Sequence, residues 1–283
     1  MTLGANAQKV ALVTGASSGI GEAAVRALLA DGFRVFAAAR RLDRMAPLAA
    51  LGARLLPLDL IEEASIVAAM GEVEREAGRI DVLVNNAGLG FYGALEDVPL
   101  AEARRQFEVN LFGLARLCQL ALPLMRRQGA GRIVNVSSVG GRFGEPFGAW
   151  YHASKYAVEG LSDCLRMELS PFGIDVVLIE PGTIRTEWSE MASESLERAS
   201  GATAYAPYAK RHLAMLARAR ASRVPSDPEV VARTIARAAT AARPRTRYPT
   251  GAAARPMLFL RRWLSDRLFD RMMLFFSQKV GRR

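Results

Sequence analysis

The chain has 283 residues, 51% of them hydrophobic, and a formal net charge of +10 at neutral pH, enough sequence for one substantial core. Only two cysteines are present, Cys118 and Cys164, which excludes a disulfide framework and leads us to expect both packed inside helices in a reducing compartment. The arginines behind the basic charge are dispersed and no recognition motif accompanies them, so nucleic-acid binding is the poorer explanation of that charge.

Met1 to Gln8 lacks the basic start and apolar run of a secretory signal, and a cytoplasmic protein is expected. Val10 to Val13 is then a short apolar run that reads as a strand, and Glu22 to Ala30 reads as a helix. Between them lies Thr14-Gly15-Ala16-Ser17-Ser18-Gly19-Ile20-Gly21. Glycines at such a turn allow positive φ and close approach of the backbone to a pyrophosphate, whose charge the N–H groups of the helix start attract. The spacing is neither G-x-G-x-x-G nor a Walker A loop, and glycine turns of this kind occur in many α/β proteins, so the loop alone does not decide. Gly32 marks the helix end, Arg34 to Ala39 reads as a second strand, and Arg40 and Arg41 follow it.

Further along, Ile80 to Val84 and Ile133 to Val136 are strands by the same signal, and Val176 to Ile179 is another. Asn110 stands in an otherwise apolar segment, Val109 to Leu117, where a mediocre helix former needs some compensation. From Ala149 to Leu169 apolar residues recur at helical spacing, and Pro171 and Gly173 mark the stop. Tyr151 and Lys155, four apart, share a face of that helix. A nearby cation favours the phenolate, which moves a tyrosine toward a pKa useful for proton transfer. Neither His152 nor His212 has partners at metal-ligand spacing; no metal is expected, and His152 is placed as a flank of the site.

These motifs, taken in order over roughly residues 8 to 190, resemble the short-chain dehydrogenase/reductases. The resemblance rests on Thr14-Gly15-x-x-x-Gly19-x-Gly21, Asp59 after Leu56-Pro57-Leu58, Asn85-Asn86-Ala87-Gly88, Asn110, Ser137-Ser138, Tyr151-x-x-x-Lys155 and Pro181-Gly182-x-x-x-Thr186. It implies that Tyr151 is the general acid or base, that Ser138 orients the substrate oxygen, and that Lys155 holds the nicotinamide ribose while favouring the phenolate. Asn110 would anchor a water in a proton relay. By the same resemblance Gly15, Ser17, Ser18, Gly19, Ile20 and Gly21 cradle the pyrophosphate, and Asp59 and Leu60 meet the adenine. Asn86, Ala87 and Gly88 line the ribose side, and Pro181, Gly182, Thr183 and Thr186 meet the carboxamide. It further implies a homodimer through the segments 101–127 and 149–170.

Enzymes of this architecture that use NAD place a carboxylate at the end of the second strand. Here that place falls on Ala39, followed by Arg40, which is suited to binding a 2′-phosphate, so NADP(H) is the expected cofactor. The expected fold is α/β: a single-domain Rossmann-type doubly wound parallel sheet with helices on both faces, spanning residues 1–283. Residues 8–182 form the cofactor-binding and catalytic core, 183–226 the substrate lid, and 255–283 a basic amphipathic C-terminal extension. Asp227-Pro228-Glu229 starts a helix that should run to about Ala242.

Trp188, Met191, Tyr205, Tyr208 and Met215 in the lid suit either an apolar substrate or packing of the lid itself. In the extension a helix carries the stripe Leu260, Leu264, Leu268, Met272 and Phe275 beside arginines. It could lie peripherally on an anionic membrane or pack on this chain or a second subunit. The reaction expected is hydride transfer between nicotinamide and a carbonyl or hydroxyl of a small, hydrophobic molecule such as a steroid, retinoid or lipid. A 3-oxoacyl thioester reductase, or a cofactor-bound sensing protein acting through its tail, stay open as alternatives.

Overall fold

The structure, a computed structural model, describes residues 8–279. The expectation for the N-terminal segment and the charges of Arg282 and Arg283 fall outside the described residues.

Strands β1 (Val10–Thr14), β2 (Arg34–Ala39), β3 (Arg54–Pro57), β4 (Val82–Asn85), β5 (Gly131–Val136), β6 (Ile174–Pro181) and β7 (Arg247–Thr250) form one parallel sheet in the order β3-β2-β1-β4-β5-β6-β7. Strand order reverses between β1 and β4, and the carboxyl ends of such a pair bound the crevice in which open α/β sheets bind ligands. Alternate residues feed two cores, because successive side chains of a strand point to opposite faces. Val10 and Leu12 of β1 join one apolar cluster, and Ala11 and Val13 join the other.

Helices α1 (Gly19–Ala30), α2 (Ala46–Ala50), α3 (Glu63–Ala77), α4 (Leu100–Phe107), α5 (Gly113–Gln128), α6 (Ala149–Leu169), α7 (Trp188–Ser200), α8 (Ala206–Ala221), α9 (Pro228–Thr240), α10 (Ala254–Trp263) and α11 (Asp266–Lys279) complete the fold. Residues of α3, α5 and α6 line the first cluster, and residues of α1, α2 and α9 line the second. The sheet is therefore covered on both sides, as its unbroken apolar strands require. The C-terminal end of α9 is held by Arg132, whose Nη1 donates to the carbonyls of Ala238 and Ala241 at 2.7 Å each. That guanidinium satisfies carbonyls left over at the helix end.

Four expectations about the fold need correction. The C-terminal extension is two helices: Leu264 is extended between α10 and α11, with φ −87° and ψ 143°, and the chain re-enters a helix at Asp266. The face it buries is not the predicted stripe, since Phe269 and Ser277 are buried while Leu268 and Phe275 are half exposed. Cys118 is buried as expected, but Cys164 is exposed on α6. The edge strands β3 and β7 were not expected as strands; β7 carries Pro249, which is tolerated only at a sheet edge.

Candidate active site

The glycine loop leaves β1 with Gly15 at φ +68° and Gly19 at φ +56°. Gly21 has no room for a side chain: a Cβ there would stand 2.2 Å from the carbonyl oxygen of Gly15. Thr14 ties the loop to the strand across the switch point, its Oγ1 accepting from the N–H groups of Asn86 at 3.0 Å and Ala87 at 3.1 Å. The Asn86 amide donates in turn to the carbonyl of Thr14 at 2.9 Å. Ile20 packs beneath the loop on the second apolar cluster. The cradle is thus rigid, backbone-lined and open at the helix start, and it fits a dinucleotide pyrophosphate.

At the far end of the crevice, Asp59 follows β3 and accepts from Ile61 N at 3.1 Å, and Leu60 is buried against Gly113. Pro181 ends β6, and Gly182 N donates to the Thr250 carbonyl at 2.9 Å. Gly182 could not carry a Cβ, which would lie 2.0 Å from the Ala252 oxygen. Thr183 N is bound to the Ala252 carbonyl at 3.0 Å, and the Thr186 methyl lies over Gly19. Ile184 forms an isolated parallel bridge to Ser226.

Arg40 is exposed beyond β2, and the neighbouring Arg41 is the one that turns toward the loop. Its Nη2 lies 3.3 Å from the hydroxyls of both Ser17 and Ser18. Glu187, the last residue before α7, reaches Arg41 at 3.4 Å and Arg44 at 2.7 Å. Burial would raise the Glu187 pKa, but the hydrogen bond from Arg44 and the charges of both arginines hold the carboxyl below the usual range.

Ser138 leaves β5 in extended conformation, and its Oγ accepts from Gly140 N at 3.0 Å while reaching the Tyr151 phenol. Tyr151 and Lys155, one turn apart on α6, are both buried. Lys155 Nζ donates to the carbonyl of Val136 at 2.9 Å. Gly88 brings its backbone alongside Lys155 and Asn110, since a Cβ there would lie 3.7 Å from Lys155 Nζ and 3.4 Å from Asn110 Oδ1. Burial pushes the Tyr151 phenol up to about 12, the Ser138 hydrogen bond opposing and the Glu145 charge adding. Burial likewise pulls Lys155 down to about 8 against the charge of Glu159. The expected lowering of the Tyr151 pKa is therefore corrected: desolvation of the phenolate is the largest cause of its shift, and the Lys155 charge is not among the causes.

Asn110 sits in a π turn, Glu108–Phe112, that joins α4 to α5. Such turns widen the helix and often mark functional positions. The asparagine side chain is fully committed: Oδ1 accepts from Leu89 N at 2.7 Å, and Nδ2 donates to the Leu89 carbonyl and to Ser154 Oγ, both at 2.9 Å. It fastens the strand end after β4 to α5 and α6, the compensation its sequence context called for.

The aromatic enclosure around Tyr151 was legible only in part: His152 and Trp188 were expected beside the site, and Tyr92 was not. Trp188 of the lid lies over it at 4.8 Å between ring centroids, Tyr92 at 5.9 Å and His152 at 5.6 Å. Tyr92 donates from its phenol to Glu145 at 2.5 Å, and His152 Nδ1 meets the Gly140 carbonyl at 2.8 Å. Burial would raise the Glu145 pKa and lower that of His152, yet their mutual contact wins and shifts each toward its charged form. A cleft of about 500 Å³ opens beside the cluster, between Leu95, Phe147, Tyr205, Tyr208 and Ser277. Tyr92 follows the Asn86-Ala87-Gly88 strand end by four residues, and Glu145 precedes Tyr151 by six; loop proximity to those motifs was the one available signal. Among the described residues no cluster of three histidine, cysteine or acidic side chains could hold a metal.

The arrangement combines a dinucleotide cradle, a hydroxyl pair for a carbonyl oxygen and a buried ammonium. Comparison with known proteins agrees with it. Residues 9–197 match the family model described as short chain dehydrogenase. The uncharacterized oxidoreductase YusZ of Bacillus subtilis is 39% identical over 90% of this chain and 93% of its own. Human 17-beta-hydroxysteroid dehydrogenase type 1 is 36% identical over 90% of this chain and 81% of its own. The crystal structure of a short-chain dehydrogenase from Streptomyces avermitilis superposes with a TM-score of 0.77 at 33% identity, covering 98% of both chains. Solved neighbours carry NADP, NAD or NADH.

Proposed function

This chain belongs to the short-chain dehydrogenase family and acts with a nicotinamide cofactor, and on that footing we propose that it is an NADP(H)-dependent reductase of bulky, apolar carbonyl compounds. The observation that carries the reading is the Ser138, Tyr151 and Lys155 constellation set directly beneath an aromatic lid and beside the apolar cleft. The cofactor, when bound, supplies the hydride. The chain supplies position and the proton. Ser138 and Tyr151 aim hydroxyls at one place, where negative charge on a carbonyl oxygen would be stabilised by donors worth about 3 kcal/mol each. Tyr151, protonated at neutral pH, is poised as the acid. Lys155 and Gly88 offer the ribose-holding surface, and Asn110 fixes the backbone around it.

NADP(H) is favoured by Arg41 and the two serine hydroxyls beside it, and by the lack of a carboxylate at Ala39. The bulky substrate is supported by Phe147 and Tyr205 on the cleft and by Tyr92 and Trp188 packed on Tyr151, and the hydroxysteroid relative points the same way. We further read the chain as a homodimer of a reducing, cytoplasmic compartment, paired through α4, α5 and α6. The run Leu100–Gln128 is long and apolar enough to cross a bilayer by length and composition, and 44% of its most apolar window is buried. Phe112 of the π turn and Met167 of α6 are exposed there. Exposed Phe259, Trp263, Phe275 and Phe276 on α10 and α11, flanked by Arg262 and Arg271, support peripheral contact with an anionic membrane.

The test is turnover by purified protein of ketones graded in size, free and as acyl thioesters, with NADPH and NADH. Activity confined to carrier-bound thioesters would replace the apolar substrate by an acyl chain on an acidic carrier.

A further inference from the structure

Two guanidinium groups and two hydroxyls converge beside the glycine loop, and the lid has placed a carboxylate among them. Arg41 faces Ser17 and Ser18 on one side and Glu187 on the other, while Arg44 holds the second carboxylate oxygen of Glu187 at 2.7 Å. All three charged side chains are about half exposed. Exchanging the carboxylate for another anion therefore disturbs no core. Glu187 also immediately precedes α7, and the helix's first residue, Trp188, covers the Tyr151 ring. The indole fills the space beside Gly90 so closely that a Cβ there would lie 2.4 Å from it. What Glu187 does is thus transmitted to the cover of the active site over a single peptide bond.

Taking Arg41, Ser17 and Ser18 as the 2′-phosphate contacts of the cofactor reading, we propose that Glu187 competes with that phosphate for Arg41 and Arg44, and that surrender of the arginines to a 2′-phosphate frees α7 and lifts Trp188 from Tyr151. The proposal rests on the NADP(H) reading and deepens it. A phosphate monoester carries more charge than a carboxylate and more acceptor oxygens for two guanidinium forks, so it wins the arginines. A ribose 2′-hydroxyl carries no charge and leaves the Glu187 contacts in place. Cofactor choice is then read twice, once as affinity and once as the state of the lid. Glu187 and Arg44 become determinants of that choice, though neither lies at the end of the second strand where such residues are expected.

The experiment measures calorimetric affinities for NADP⁺ and NAD⁺, which do not absorb tryptophan emission, together with tryptophan fluorescence. It compares the full-length protein with Glu187→Gln and Arg41→Ala, using Trp188→Phe to assign the signal. Expected are tighter binding of NADP⁺ than of NAD⁺, and a Trp188-dependent emission change on saturation with NADP⁺ alone. Glu187→Gln should tighten NADP⁺ by roughly threefold to tenfold, leave NAD⁺ within about twofold, and shift the cofactor-free emission toward that of the NADP⁺ complex. Unchanged or weaker NADP⁺ binding by Glu187→Gln, with the wild-type preference for NADP⁺ intact and lost in Arg41→Ala, overturns the latch and leaves the cofactor reading standing. Equal or tighter binding of NAD⁺ by the wild type, insensitive to Arg41→Ala, overturns both.

Discussion

His212 of α8 and Ser277 of α11 are both buried and meet at 2.9 Å, Nδ1 to Oγ, so that α11 is fastened to α8. Ser277 also lines the cleft beside the active site. Substituting Ser277 by alanine leaves the buried imidazole nitrogen without its partner, at a cost of about 1–3 kcal/mol. Urea unfolding should register that loss. The Michaelis constant for bulky ketones should rise while that for small ones changes little.

Tyr151→Phe removes the proton donor and keeps the ring. Its turnover should fall by about 10²–10⁴ or more, with cofactor affinity little changed in a direct binding titration. Lys155→Met differs in kind, since it should weaken cofactor binding and turnover together. A cofactor-loaded sensing protein would instead keep its function in Tyr151→Phe.

The pH profile of reduction follows from two groups. Tyr151, at about 12, stays protonated throughout the neutral range, and Lys155 loses its proton at about 8. Reductive turnover should be level around neutrality and decline above about pH 8. The folded lysine binds its proton less well than the unfolded one, at 10.5, so its contribution to stability grows as pH rises from about 8.

Glu180 gives the opposite sign. It is buried at the end of β6, and burial, with the charge of Glu159, raises it to about 7 against the pull of Arg142 and Arg247. The folded chain favours the protonated acid. Stability from this group is full below the unfolded value near 4.5 and is lost as pH rises through about 7. Melting temperatures of wild type and Glu180→Gln taken from pH 5 to pH 8 should converge at the acid end and separate toward neutrality, with the variant higher.

Much of the site was written in short segments whose physics is local. The glycine loop, the Tyr151 and Lys155 pair and the strands that carry them are set by backbone freedom and periodicity, and β2 and α6 fall where the pattern put them. The enclosure was legible only at Trp188 and His152, because Tyr92, Glu145 and His212 come from separate segments and meet only through the fold. The tail misled for a related reason: its stripe was consistent with one helix, but Phe269 had a place in the aromatic packing of Phe143, and the chain bends at Leu264 to seat it. Arg41 rather than Arg40 faces the serines, a choice of side that two adjacent arginines cannot reveal from sequence.

The central claim is tested most directly by following NADPH and NADH oxidation in parallel across ketones of increasing apolar size. The geometry predicts kcat/KM at least about tenfold higher with NADPH, the scale of one well-placed charged contact, and rising with the bulk of the ketone. Equal or better use of NADH, or activity that falls as the ketone grows, would contradict it.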